Sequence, residues 1–159
     1  MWWLVGEQPV VPSAGQDRRI PVFGSLNPLL GRLHIHLPGR KNAAGFVTHL
    51  KGLCQIYPDQ HLLLFLDNCS IHHAKVVQRF LADHRDRITL LWNAPYTPEL
   101  NLIERYWGHL KAKATNNYFF GTVEELESAI RHAVRDFNRS PVLRMTCNLE
   151  FMRPLRKAA

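Results

Sequence analysis

The chain has 159 residues, of which 46% are hydrophobic and 21% charged, a balance that fits one folded domain and argues against intrinsic disorder. Its net charge of +7 favours a polyanionic partner such as nucleic acid, because neutralising phosphates releases counterions. Three cysteines at unrelated spacings argue against a disulfide framework or a zinc site and fit a reducing cytoplasm, and no apolar stretch is long enough to span a membrane.

The first half of the chain predicts an irregular start, two strands, a helix and a third strand, over residues 1–17, 18–26, 32–37, 42–57 and 61–66. The first two strands form a predicted hairpin, because Pro28 and Gly31 favour a turn between them. Asn42 is a preferred capping residue and predicts where the helix begins. The third strand is apolar at every position from Leu62 onwards, which is typical of a central strand buried on both faces.

The second half predicts a helix, a strand and two further helices, over residues 72–84, 88–92, 99–114 and 122–140. The last helix is the best marked, since Thr122 and Glu125 form a capping box and Pro141 ends it. Strands that alternate with helices predict an α/β fold, with a mixed sheet covered by helices on both faces. Residues 1–140 are accordingly expected to form the domain, and residues 141–159 a basic tail.

Asp67 lies where the apolar strand ends, at the carboxyl edge at which open α/β sheets place their ligands. A simpler interpretation is that Asp67 or Ser70 caps the helix that follows. The segment from Asp67 to Ala74 reads DNCSIHHA, and it carries more polar groups than a cap needs. Its two histidines, His72 and His73, are singly typical of surface or capping side chains.

Glu104 is the second candidate carboxylate, and it falls in a predicted amphipathic helix that follows the turn APYTPEL. It is next to Ile103 on the apolar stripe and so lies at the border of the buried face. Asn101 precedes Glu104 by about one turn and shares its face. A solvated glutamate paired with Lys111 is the simpler interpretation of Glu104 alone, but the turn, Asn101 and Glu104 together favour a functional site.

Two carboxylates, one from a strand end and one from a helix, suit Mg²⁺ or Mn²⁺, because these cations prefer oxygen ligands. Asp67 and Glu104 are therefore predicted to bind divalent metal, and a pair of such metals can activate a water or a 3′-hydroxyl for attack on a phosphodiester. A third acidic group is expected beside them, and the sequence offers no good candidate. His34 and His36 share one strand face and could also hold a metal, although a partly buried strand face explains them more simply.

Basic side chains follow both carboxylates and are predicted to contact the DNA backbone. With the asparagine that precedes Glu104, the predicted nucleic-acid-binding residues are Lys75, Arg79, Asn101, Arg105, Lys111 and Lys113. A solvated helix face explains each of the charged residues equally well.

Residues 64–75 (LFLDNCSIHHAK) and 91–107 (LWNAPYTPELNLIERYW) resemble bacterial insertion-sequence transposases of the mariner-related branch, within the D-D-E transposase and integrase superfamily. The hairpin over residues 19–33 is similar to that branch, less specifically, and the resemblance as a whole covers residues 2–140. It implies a ribonuclease H-like fold, Mg²⁺ or Mn²⁺ as cofactor, and cutting and joining of DNA at transposon ends.

The resemblance also implies residue roles, with Asp67 as the second catalytic aspartate and Glu104 as the catalytic glutamate. Family members carry a first aspartate on an opening strand, whereas this chain starts with a segment that resembles the one just after that strand. We therefore expect the chain to lack the first central strand and the first catalytic aspartate. Three other acids do not end an apolar strand and are poor substitutes: Glu7, Asp17 and Asp59.

The expected function is that of a transposase catalytic domain, which by itself is weak or inactive because one acid is missing. The expected partners are DNA at transposon ends and target sites, and a second copy of the chain or an upstream transposase fragment. The expected location is the bacterial cytoplasm at the nucleoid, without membrane association. A missing strand would also leave an unpaired sheet edge that favours self-association.

Two other hypotheses remain open at this point. The chain could be a non-catalytic remnant that keeps only DNA or partner binding. It could also be a structure-selective nuclease of the same fold, which would act on junctions or RNA–DNA hybrids in place of transposon ends.

Overall fold

The computed structural model describes residues 19–93, 102–115 and 118–140, with the side chains of Leu102 and Arg105 left out. This part of the chain forms four strands and four α-helices, with two strands first and two helices last. The strands are β1 Phe23–Asn27, β2 Arg32–His36, β3 Leu62–Leu66 and β4 Ile88–Trp92. The helices are α1 Ala43–Ile56, α2 Lys75–Asp83, α3 Leu102–Ala114 and α4 Val123–Arg139. The predicted basic tail, residues 141–159, lies outside the described residues.

Strands β1 and β2 form the predicted antiparallel hairpin, with Phe23 opposite His36 and Asn27 opposite Arg32. The turn is held by Asn27, whose side-chain oxygen accepts a hydrogen bond from the Leu30 amide at 3.0 Å. Gly31 closes the turn with φ of 59°, a left-handed conformation that favours glycine. The first arm is shorter than predicted, in keeping with Pro21, which has no N–H to donate to a strand ladder.

Helix α1 begins where the sequence predicts. The Asn42 side chain accepts a hydrogen bond from the Gly45 amide at 2.8 Å, and the helix ends at Ile56, two residues before Pro58. Its buried face carries Phe46, Val47, Leu50 and Leu53.

Strand β3 pairs in parallel with β4, from Leu62 opposite Ile88 to Leu66 opposite Trp92. The prediction that β3 is buried on both faces is wrong, because burial alternates along the strand and the side chains of Leu63 and Phe65 are 59% and 69% exposed. In the described part of the chain β1 pairs only with β2 and β3 only with β4, giving two two-stranded sheets. Strand β3 therefore packs into the core through the side of Leu62, Leu64 and Leu66.

The segment after β3 differs from the predicted helix over residues 72–84. A 3-10 turn spans Ser70–His73, and α2 starts afterwards at Lys75. Helix α4 matches its prediction more closely, because Thr122 accepts a hydrogen bond from the Glu125 amide at 3.2 Å. The Glu125 carboxylate reaches back one residue beyond the usual capping box and accepts from the Gly121 amide at 2.9 Å.

Two hydrophobic clusters hold these elements together. One joins α3, α4 and β2 through Leu33, Tyr106, Leu110, Ala114, Ile130, Ala133, Val134 and Phe137. The other joins both sheets to α1 and α2 through Phe23, Phe46, Val47, Leu50, Val77, Phe80 and Ile88. The hairpin contributes to both clusters, so it is the element that links the two helical layers.

Asn138 of α4 satisfies the backbone of β2 in the way that a neighbouring strand would. Its side-chain oxygen accepts from the Leu33 amide at 2.8 Å, and its side-chain nitrogen donates to the Leu33 carbonyl at 2.9 Å. A free strand edge is a template for pairing with another chain, and this two-fold hydrogen bond blocks it at Leu33.

Asn138→Ala should lower the free energy of unfolding by about 1–3 kcal/mol, because a half-buried N–H and carbonyl of β2 lose their partner together. Urea unfolding of the variant measures the loss. Arg139→Ala, at the next and exposed position, is the control and should change stability by less than about 0.5 kcal/mol. Equal stability of the two variants would contradict this role for Asn138.

His49 is the buried polar side chain of α1, 5% exposed, and a hydrogen bond of 2.8 Å joins its Nε2 to the Ser25 hydroxyl of β1. Burial, with smaller contributions from the nearby His36 and His34, lowers the pKa of His49 from 6.5 to about 4. Since protonation favours the unfolded chain, the stability associated with neutral His49 is fully present above pH 6.5 and is lost as the pH falls towards 4.

The decrease in the free energy of unfolding attributable to His49 should reach about 3 kcal/mol at the acid end of this range, since each unit of pKa shift corresponds to about 1.36 kcal/mol. Urea unfolding of the wild type and of His49→Phe at a series of pH values measures it. Other histidines titrate in both proteins, so the difference between the two curves isolates His49. A difference that does not change between neutral and acid pH would contradict the prediction.

Candidate active site

Asp67 follows β3 directly, and its carboxylate is 71% exposed. Its Oδ1 lies 3.2 Å from Nε2 of His72, which is the polar contact that holds it. Within residues 69–83, neither the 3-10 turn nor α2 begins with a side-chain cap. The simpler interpretation of Asp67 or Ser70 as a helix cap is therefore wrong, and the carboxylate of Asp67 is available to a ligand.

His72 is the partner that sequence reasoning did not find. Its side chain is only 11% exposed, and its ring lies 4.3 Å from that of Phe46 and 6.4 Å from that of Trp92, measured between centroids. Burial lowers the pKa of His72 below the usual value, and this effect outweighs the opposing influence of the Asp67 carboxylate. A sequence signal existed in the five-residue spacing from Asp67, but nothing in the sequence showed that the 3-10 turn brings the two side chains together.

The next residues repeat this arrangement. Nε2 of His73 donates a hydrogen bond to the side-chain oxygen of Asn68. The His73 ring stacks on Trp92, with centroids 4.5 Å apart, and its carbonyl accepts a hydrogen bond of 3.0 Å from the Gln78 side chain. Two consecutive residues after β3 are thus each tied to one of two consecutive histidines in the turn.

Glu104 lies on the exposed side of α3, in the first turn of the helix. Its neighbour Ile103 packs against the cluster shared by α3, α4 and β2, and Tyr106 is fully buried there. The prediction that Glu104 borders the buried face agrees with this placement. Asn101 and the preceding turn, residues 94–100, lie outside the described residues.

Both candidate carboxylates are connected by packing to adjacent residues of β1. On one side Phe23 contacts Phe46, with ring centroids 5.6 Å apart, and Phe46 in turn contacts His72, the partner of Asp67. On the other side Gly24 lies so close to α3 that a Cβ atom would be 2.5 Å from the Trp107 ring. Because successive strand residues face opposite ways, β1 receives the Asp67 side of the molecule on one face and α3 on the other.

Gly24→Ala should lower the free energy of unfolding by about 1–3 kcal/mol, since the added methyl group overlaps a rigid indole ring. Thermal or urea unfolding measures the change. Gly52→Ala in α1 is the matched control, because nothing lies within 4 Å of its new methyl group. That change should be stabilising by about 0.5–1 kcal/mol, as alanine favours a helix more than glycine does. A tolerated Gly24→Ala would contradict the close approach of α3 to β1.

The side chains present fit a hard divalent cation in kind, because an exposed aspartate and an exposed glutamate offer oxygen ligands. Over residues 19–93, 102–115 and 118–140, no three His, Cys, Asp or Glu side chains group closely enough to hold a metal ion. His34 and His36 therefore form no such group with a third described residue, and Nε2 of His34 is instead hydrogen-bonded to the Tyr57 hydroxyl at 2.8 Å.

The predicted DNA-contacting residues are placed on helix surfaces where the structure describes them. Lys75 and Arg79 are exposed one turn apart at the start of α2, and Lys111 and Lys113 are exposed in the last turn of α3. The side chain of Arg105 lies outside the described part of the chain. All four described side chains are accessible to a phosphate backbone, and their DNA contacts stay a prediction.

Residues 1–127 match the family described as DDE superfamily endonuclease. The chain belongs to this family. A relative from Shigella sonnei, the insertion element IS630 uncharacterized 39 kDa protein, is 26% identical over 141 residues, which are 88% of this chain and 41% of that protein. The chain thus spans about two fifths of the length of that relative, and it agrees with the predicted resemblance to insertion-sequence transposases.

Two solved structures share the fold of this DDE-family chain. The Mos1 transposase, in a paired-end complex with the left transposon end, has a TM-score of 0.59 at 18% identity, over 92% of this chain and 48% of its own. The catalytic core of BIV integrase has a TM-score of 0.52 at 17% identity, over 72% of each chain. These likenesses confirm the predicted α/β, ribonuclease H-like fold.

None of the helices in the described part of the chain combines the length and the apolar character that a membrane crossing requires.

Proposed function

We propose that this chain is the catalytic part of an insertion-sequence transposase, which cleaves and joins DNA strands at transposon ends with a divalent metal held by Asp67 and Glu104. The observation that carries the proposal is the exposed carboxylate of Asp67, which follows a parallel strand and contacts the partly buried His72. Membership of the DDE endonuclease family and the likeness to the Mos1 transposase support the same chemistry.

In this proposal Asp67 and Glu104 would hold Mg²⁺ or Mn²⁺ through their carboxylate oxygens, and the ion would supply activation of a water or a 3′-hydroxyl and stabilisation of the leaving oxygen. Asp67 supplies a ligand whose position is fixed relative to β3. Glu104 supplies the second from α3, which is fixed against β1 by the close contact at Gly24. The protein thereby holds both ligands on packed elements, which is what accurate positioning of a reacting phosphate requires.

DNA binding is proposed to use the basic side chains of α2 and α3. Lys75 and Arg79 follow the Asp67 segment, and Lys111 and Lys113 lie at the end of the helix that carries Glu104. With a net charge of +7, association with DNA should weaken steeply with salt, because each phosphate contact releases counterions. Transposon-end DNA, target DNA and a second copy of the chain are the proposed partners, and the bacterial nucleoid is the proposed location.

The chain alone is proposed to be weak or inactive, because two carboxylates hold a pair of metals less firmly than three. The described residues offer no group of three potential ligands, which favours this view. The same observation on the described residues favours the second candidate function, a non-catalytic module that keeps only DNA or partner binding.

Asp67→Asn and Glu104→Gln should each reduce Mn²⁺- or Mg²⁺-dependent nicking to background, because an amide is a much poorer metal ligand than a carboxylate. The assay uses DNA that carries the ends of the element encoding this chain, and it measures both nicking and binding by the same protein. Asp83→Asn, an exposed acid at the end of α2, is the matched control and should behave like the wild type.

Metal-dependent nicking that survives Asp67→Asn would contradict the proposed site. Vigorous nicking by the wild type that this variant abolishes would support the site and overturn the expected weakness. Salt-sensitive DNA binding without any nicking would favour the non-catalytic module.

A further inference from the structure

The Asp67 carboxylate needs something to hold it, because a side chain that is 71% exposed rotates freely unless a partner fixes it. Its partner is Nε2 of His72 at 3.2 Å, and a ring nitrogen facing a carboxylate oxygen acts as the donor. The contact uses Oδ1 and leaves most of the carboxylate accessible to solvent. It therefore restricts the orientation of the Asp67 carboxylate without blocking access of a ligand to its other oxygen.

His72 itself has little freedom to move. Its ring packs against Phe46 and lies near Trp92, with centroid distances of 4.3 and 6.4 Å, and its side chain is 11% exposed. The neighbouring hydrogen bond from His73 to Asn68 restrains the same short segment a second time. A rigid donor of this kind fixes the direction of the bond it makes.

Stability does not explain why a histidine occupies this position. The Nδ1 atom of His72 is buried and has no hydrogen-bond partner among the described residues, an arrangement that typically costs about 1–3 kcal/mol. A phenylalanine would pack against Phe46 without burying that nitrogen. What a phenylalanine would lack is the donor to Asp67.

We propose that His72 is a positioning residue for the metal site, which donates from Nε2 to Asp67 and holds this carboxylate in the orientation that binds the divalent cation. The proposal rests on the proposed function, because it assigns the geometry of that same site. His73, through its bond to Asn68, supports the turn that brings His72 into place. Partners of this type, one step removed from the metal, commonly change metal affinity or activity by about 10–100-fold when they are removed.

Two substitutions separate a positioning role from a packing role. His72→Phe keeps an aromatic ring against Phe46 and removes the donor. His72→Gln keeps an N–H donor at a similar reach and removes the ring. His132→Phe is the matched control, since His132 faces Asp136 at 3.5 Å in a comparable pair on the exposed surface of α4.

The experiment measures the dissociation constant for Mn²⁺ by electron paramagnetic resonance, together with the unfolding midpoint. All proteins are measured in one buffer: the wild type, Asp67→Asn, His72→Phe, His72→Gln and His132→Phe. We expect His72→Phe to weaken Mn²⁺ binding by about 10–100-fold while its unfolding midpoint stays the same or rises. His72→Gln should restore most of the affinity even if it is less stable. His132→Phe should bind Mn²⁺ like the wild type.

The outcomes distinguish this inference from the function on which it rests. If Asp67→Asn abolishes Mn²⁺ binding and His72→Phe leaves it intact, the positioning role is wrong and the metal site stands. If His72→Gln binds as poorly as His72→Phe, the ring matters and the donor does not, which also overturns the proposal. If the wild type does not bind Mn²⁺, the metal site is wrong, and the role assigned to His72 is overturned with it.

Discussion

The contact of two helical layers with the short strand β1 is the constraint on which the candidate site depends. Phe23 contacts the aromatic ring of Phe46 on one side, and Gly24 admits the Trp107 ring on the other. Alternation along a strand places these two neighbours on opposite faces, so each layer is located by one residue. The two candidate carboxylates belong to different layers, and their relative position is therefore set by packing at β1 and not by any direct bond.

Several buried or partly buried polar side chains in this domain hold the backbone or another side chain in place. Asn138 satisfies both backbone groups of Leu33, and the Ser25 hydroxyl is joined to the buried His49. A buried polar group is costly without a partner, so each of these pairs favours one relative position of the two elements that it joins. His72 differs from the others, since one of its nitrogens is unpartnered among the described residues while the other meets an exposed carboxylate. That imbalance favours a functional role for His72.

Strand β3, in one of the two two-stranded sheets, has an exposed apolar outer face. Leu63 and Phe65 are apolar and yet largely exposed, while the alternate positions of the same strand contribute to a core shared with both sheets. Exposed apolar groups of this size are unfavourable in water and favour association. They favour the proposed association with a second copy of the chain.

The sequence alone determined the order and type of nearly every described element, because apolar periodicity, Asn42, Thr122 and the proline positions act locally. It also determined that Asp67 ends a strand, and the resemblance it carries led to the family. Only the tertiary structure decided that one face of β3 stays exposed and that a 3-10 turn brings His72 to Asp67. The physical reason is that burial and side-chain contacts depend on which elements pack together. No local sequence pattern encodes the packing of one element against another.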